Sequence, residues 1–171
     1  MLSEASTLYK LIILYMLRKV NFPMTNSQIS DFILEQGYTS YLNLQSALAE
    51  MIEAKLLETE SIRNTTYYHM TEEGQNTINY FDKQISSDIK EDIDKYLKEN
   101  SYELRNAVSV IADYHKSTGS DYVVTCQVKE RDCYLIDLKL SVPTEEAAKS
   151  ICNKWQKKNQ DIYAHLMKEL L

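Results

Sequence analysis

Glycine and proline are nearly missing, with 3 and 2 copies in 171 residues, where ordinary usage would give about 20 together. A collagen-like, low-complexity or linker-rich chain is excluded. The glycines stand at Gly37, Gly74 and Gly119, so neither common Gly-rich spacing for cradling phosphates can be written. An enzyme working on a nucleotide or dinucleotide is not expected. The 3 cysteines, Cys126, Cys133 and Cys152, are odd in number and form no Cys-x-x-Cys pair, which fits neither a disulfide framework nor a zinc ribbon. They read as reduced, mostly structural thiols. Histidine is as scarce, and His69, His115 and His165 have no ligand partner at helical spacing. No metal or cofactor is expected.

Long apolar runs are also lacking. The longest, Leu11 to Leu17, covers seven residues against roughly 20 for a bilayer span, so no membrane span is expected. Glu4 and the late Lys10 give no basic leader region, and no Ala-x-Ala-like site follows. Cytoplasmic residence is the expectation. What remains is ordinary for a folded protein: 44% hydrophobic and 26% charged residues, enough for a core in one domain or two small ones.

Leu8, Leu11, Ile12, Tyr15 and Met16 recur at helical spacing, with Ser3 as cap and an end near Lys19. Pro23 breaks this helix. Thr25 and Gln28 form a capping box for a second helix with Ile29, Phe32 and Ile33 inward and Gly37 just past its end. Thr39 or Ser40 then caps a third, whose Leu44, Leu48, Met51 and Ile52 share a face. A helix-turn-helix is implied. Runs from Leu57 to Arg63 and Thr66 to Met70, separated by Asn64-Thr65, predict a small hairpin or wing. Thr71, Glu72 and Glu73 open another helix, with Ile78, Phe81 and Ile85 as its stripe. Ile89, Ile93 and Leu97 continue the spacing to about Asn100, so one helix over about 72 to 100 is expected, which Ser86-Ser87-Asp88 either restarts or merely interrupts.

Beyond it the period becomes two. Val108, Val110, Ala112 and Tyr114 alternate, as do Tyr122, Val124, Cys126 and Val128, and Tyr134, Ile136, Leu138, Leu140 and Val142. The short polar connectors 117–120 and 129–132 favour an antiparallel meander. After Pro143 and Thr144, a long helix carries Ala148, Ile151, Cys152, Trp155, Ile162, Leu166 and Leu170 as its stripe. The fold class is α+β: an N-terminal winged helix-turn-helix, then a three-stranded antiparallel meander packed on a long C-terminal helix. Expected divisions are 1–85 for DNA binding, 86–104 as a connecting helix, and 105–171 for dimerisation or an effector.

In a winged helix the third helix enters the major groove and the hairpin touches the backbone nearby. At about 100° per residue from Leu44, Asn43 and Ser46 point outward, Gln45 lies on a flank, and Ser40 sits at the exposed start. Asn and Gln both donate and accept, which suits adenine. At the hairpin tip Arg63, Asn64, Thr65 and Thr66 offer one charge and several donors suited to phosphates.

The stretches Phe22-Pro23-Met24-Thr25-Asn26-Ser27-Gln28, Gln36-Gly37-Tyr38-Thr39, Ile62-Arg63-Asn64-Thr65 and Met70-Thr71-Glu72-Glu73-Gly74 resemble the winged-helix family catalogued as domain of unknown function 4364. The resemblance continues through Tyr102-Glu103-Leu104-Arg105-Asn106, Cys126-Gln127-Val128-Lys129 and Val142-Pro143-Thr144-Glu145. The Thr-Glu-Glu-Gly opening is similar to PadR-type bacterial regulators. What the resemblance implies is a bacterial, DNA-binding, dimeric regulator with no known ligand, operator or catalytic site.

Charge pulls the other way. Over residues 1–85 there are 6 Lys and Arg against 10 Asp and Glu, a formal −4, while DNA affinity rests largely on neutralised phosphates. The reading from sequence is a sequence-specific transcriptional regulator binding double-stranded DNA as a homodimer, not an enzyme. The alternative is a winged-helix protein-interaction adaptor without DNA contact. Acidic pairs such as Glu72-Glu73 and Glu145-Glu146 suit helix starts. Cys126 and Cys133 approaching across the second hairpin would make a redox switch, ordinary sheet packing being the alternative. Among the 13 tyrosines, those in predicted strands serve packing or line a small-molecule effector pocket between sheet and C-terminal helix. The final leucines pack on the chain's own sheet or on a second subunit.

Overall fold

The apolar run Leu11–Leu17 becomes the buried middle of α1 (Glu4–Val20), each of its seven side chains no more than 4% exposed. A computed structural model describes residues 4–130 and 133–171. Each large aliphatic chain buried this way contributes about 1.5–3 kcal/mol, so α1 is the post around which its neighbours assemble. A cap at Ser3 lies outside the described residues.

Helix α2 (Asn26–Glu35) starts where the sequence says it should. Thr25 accepts from the Gln28 amide while Gln28 reaches back to the Thr25 amide. It ends at Gly37, whose φ of +68° lets Tyr38 N–H return to the Ile33 carbonyl at 3.1 Å. Ser40, rather than Thr39, caps α3 (Tyr41–Glu53). Lys55 closes α3 in the same left-handed way at φ +58°, and Leu56 N–H reaches back to the Met51 carbonyl at 2.9 Å.

The hairpin is β2 (Leu57–Ile62) and β3 (Thr65–Met70), and a short β1 (Met24–Thr25) pairs on the other side of β3. Its turn is Arg63-Asn64, not Asn64-Thr65: Ile62 faces Thr65 and both turn residues have positive φ, +48° and +63°. That is the twist a two-residue hairpin loop needs, and Asn tolerates it. Thr65 joins the strand.

The single helix expected over 72–100 is broken. Helix α4 (Glu72–Phe81) passes into a 3₁₀ turn (Asp82–Gln84), Ile85 is extended, and Ser86 caps α5 (Ser87–Glu99). A further helix, α6 (Ser101–Ser109), takes in Val108, which sequence placed on a strand. One compact unit ends at Arg105. Ile93, Leu97 and Leu104 lie in its core with α1, α2 and α3.

The second unit, Asn106–Leu171, holds the antiparallel meander β4 (Val110–Lys116), β5 (Tyr122–Glu130) and β6 (Cys133–Val142), in that spatial order. Lys129 and Glu130 extend β5 rather than forming the connector, and Arg131-Asp132 lies outside the described residues. Thr144 caps α7 (Glu145–Leu170), which buries Ala148, Cys152 and Trp155 against Val110, Ala112, Val124 and Cys126. The distal part of its stripe is not buried: Ile162 is 36% and Leu170 76% exposed. The described residues therefore make a mixed α+β protein of seven α-helices, two three-stranded antiparallel sheets and a long last helix.

Candidate functional site

Helix α3 is amphipathic by burial. Leu44, Ala47, Leu48 and Met51 face the core, while Leu42, Asn43, Ser46 and Ala49 are open to solvent. Asn43 and Ser46 thus lie on the outer side. Ser40 is exposed, and its hydroxyl oxygen accepts the Asn43 N–H at 3.4 Å. Its first task is to cap the start of the helix, though its O–H remains able to donate.

Gln45 is half-buried and held. Its amide and that of Asn26 bond head to tail, Asn26 Nδ2 to Gln45 Oε1 at 3.0 Å and Gln45 Nε2 to Asn26 Oδ1 at 3.3 Å. Asn26 also donates to Tyr68 Oη at 3.0 Å and accepts from Ser30 Oγ at 3.1 Å. One polar cluster therefore ties α2, α3 and β3 together and fixes the third helix beside the hairpin.

Arg63 and Asn64 are exposed at the hairpin tip, with Thr65 and Thr66 half-exposed behind them. Away from the tip the hairpin turns acidic, Glu58 and Glu60 lying on β2, with Glu60 3.3 Å from His69 Nε2. Lys10 is spent on an ion pair with Glu50 of α3. The surface offers hydrogen-bonding groups more than positive charge.

Sequence reasoning passed over two side chains here. Leu42 and Tyr41 are 76% and 54% exposed at the start of α3. The signal was available, since Leu42 sits two positions before Leu44 and so about 200° away from the buried stripe. Ile52, assigned to that stripe, is 38% exposed at its margin.

No group of three or more potential metal ligands occurs among the described residues. A cavity of 290 Å³ lies in the first unit, lined by Lys19, Phe22, Asp94, Leu97, Lys98 and Arg105 among others. Sequence had placed an effector pocket elsewhere, beneath the C-terminal helix. Cys126 and Cys133 do not meet across the second hairpin: Cys126 is opposite Leu138 and buried, while Cys133 is opposite Glu130 and exposed. The partner of Cys126 in the core is Cys152, and burial pushes the Cys126 thiol up to about 11.

A family model described as Domain of unknown function (DUF4364) matches residues 9–170. The chain belongs to this family. The match spans α2, α3, the hairpin, the meander and nearly all of α7, and so covers most of both compact units. No curated protein and no solved structure matches the chain. No helix among the described residues is long and apolar enough to cross a membrane.

Proposed function

We infer that this DUF4364 chain is a sequence-specific transcriptional regulator of winged-helix type, related in plan to PadR-like regulators, that binds double-stranded DNA as a homodimer. The observation that carries the reading is the outer face of α3, where Asn43 and Ser46 stand exposed, together with a two-residue hairpin tip carrying exposed Arg63 and Asn64. Such a helix fits the major groove, and such a tip fits the adjoining phosphates. Asn43 pairs with adenine, Ser46 with either kind of base, and Leu42 supplies an apolar contact for a thymine methyl. Ser40 and the hairpin residues Arg63, Asn64, Thr65 and Thr66 hold the backbone. Gln45 aligns the helix through Asn26 and reads a base only by leaving that pair. The C-terminal unit sets the spacing of two third helices at roughly 34 Å, one turn of DNA. A small-molecule effector has the cavity beside Phe22 and Leu97 available. No catalytic role is assigned.

One observation favours a second reading. Residues 1–85 carry a formal −4, and Leu42 is 76% exposed at the centre of the same face, which suits a protein-binding adaptor. Selection from random duplex DNA, followed by gel shift at several salt concentrations, separates the two. Regulator function predicts an enriched motif whose binding weakens as salt rises. Absence of binding even at low salt gives the face to a protein partner.

A further inference from the structure

Strand β6 is the outer strand of its sheet, ten residues from Cys133 to Val142, and among the described residues no strand pairs with its free edge. Proteins usually blunt such an edge with proline, a bulge in the outer register or a covering side chain. The other outer strand has something of the kind, since the Asp113 carboxylate accepts the Tyr114 N–H at 2.8 Å on β4. No side-chain hydrogen bond caps β6 among the described residues, its proline, Pro143, comes only after the strand ends, and the bulge at Leu135, where pairing steps from Val128–Ile136 to Lys129–Tyr134, leaves Ile136–Val142 regular. The face that carries α7 is also left unfinished there. Helix α7 packs mainly on β4 and β5 and reaches β6 least. Leu140 remains 41% exposed there.

We propose that β6 pairs antiparallel with β6 of a second copy, in the register that sets Leu138 against Leu138 of its mate and Asp137 against Lys139. A two-fold axis perpendicular to a sheet matches residues that share a face, so the register must be centred on a residue. In the regular stretch Ile136–Val142, beyond the bulge at Leu135, the three centres with the longest overlap are Leu138, Lys139 and Leu140. Centring on Lys139 puts two ammonium groups directly opposite each other, and centring on Leu140 sets Lys139 against the uncharged Ser141. Centring on Leu138 pairs Asp137 with Lys139 twice. It also pairs Ile136 with Leu140 on the apolar side. Like charges directly opposite destabilise a strand pair and opposite charges stabilise it. Charge therefore chooses among these registers, and the strand is complementary to itself in one of them. The product is a six-stranded sheet bearing both copies of α7 on one face.

This names the surface for the two-fold assembly invoked above, but its test reads mass and stands or falls apart from DNA binding. The full chain should sediment at twice its 19.9 kDa mass. Lys139→Asp alone sets aspartates opposite each other, and Asp137→Lys alone sets lysines opposite each other. Each should fall to the monomer while keeping the wild-type circular dichroism. Mixing the two variants makes both cross-strand pairs opposite in sign again, so the mixture should regain the dimer mass, as should the double variant carrying both changes. A monomeric wild type over the accessible concentration range overturns the proposal. So does a dimer that survives both single changes, and so does a mixture that stays monomeric, because that outcome removes the register.

Discussion

Asn26 and Gln45 hold each other by both polar atoms of their amides, at 3.0 and 3.3 Å, across the gap between α2 and α3. A pair satisfied in this way sets an angle as well as a distance. The exposed side of α3 is therefore positioned by a residue of the neighbouring helix. Either single change to Ala should lower the stability of the first unit by about 1 kcal/mol. The double change should cost less than the sum, because the second loss removes a group already without its partner. Denaturant titration of the four proteins checks this, and strict additivity would mean the pair contributes nothing as a pair.

Gly74 is fixed by a neighbouring backbone rather than by its own dihedral angles. A methyl group at this position would lie 2.3 Å from the Leu56 carbonyl oxygen, the same oxygen that accepts the Thr71 hydroxyl at 3.0 Å. Thr71 in turn caps α4 by accepting the Gly74 N–H at 3.0 Å. The end of α3 and the start of α4 thus meet with no room for a side chain. Gly74→Ala should destabilise by about 1–3 kcal/mol, as overpacking does, despite the better helix propensity of alanine. A melting temperature equal to that of the wild type would show that the two segments separate freely.

These two positions mark what was legible in the sequence. Caps and apolar stripes are local, so Thr25 with Gln28, Gly37, Thr71 and the stripe of α3 could be read directly, as could the three-stranded meander. Long-range pairing was not: nothing in the run of letters ties Asn26 to Gln45, 19 positions apart. Errors fell where two local signals competed. Val108 alternates with Val110 like a strand, yet α6 runs to Ser109. The Ile85–Ile89–Ile93 spacing suggested one helix, but the Ser86 hydroxyl accepts the Ile89 N–H and starts a new one. The hairpin turn was misplaced by one residue because Arg63, not a usual turn residue, occupies the first left-handed position.

Asp82 gathers two cations, Arg18 Nη2 at 2.5 Å and Lys90 Nζ at 2.8 Å, and so joins α1 to the start of α5. The hydrogen bond from Lys90, followed by that from Arg18, holds its carboxyl below the ordinary value of 3.8. A carboxyl depressed in the folded state stabilises fully above its unfolded value, and that contribution disappears as pH falls through the folded one. Asp82→Asn should therefore cost about 1 kcal/mol at neutral pH, the upper range for a surface network, and the difference from wild type should shrink below about pH 4. Urea unfolding across that range measures it. A gap that widens on acidification would contradict the assignment.

Cys126 and Cys133 differ by environment alone. Burial lifts the Cys126 thiol to about 11, so it is protonated at any physiological pH and shielded as well. Cys133 is exposed on β6. In the native protein a maleimide should label Cys133 first, with Cys126 and Cys152 reacting only on unfolding, since the thiolate must both form and be reached. Mass spectrometry of peptides from a short labelling pulse distinguishes them, and equal labelling of Cys126 in the folded chain would mean the second core opens readily.

Asn43 and Arg63 provide opposite tests of DNA recognition because they contribute different things. Asn43 is exposed on α3 and brings a donor and an acceptor but no charge. Its loss should cost about 1–3 kcal/mol on the preferred sequence and little on others, flattening specificity. Arg63 brings charge at the hairpin tip. Arg63→Ala should weaken every sequence alike and reduce the slope of affinity against salt by about 1. Because residues 1–85 have only 6 basic groups, the wild-type slope should itself be shallow, and a steep one would locate the DNA on another surface. Titrating both variants against the selected and a scrambled duplex, at two or more salt concentrations, reads all of these at once. Should Asn43→Ala keep full preference while Arg63→Ala loses it, the roles of helix and hairpin would have to be exchanged.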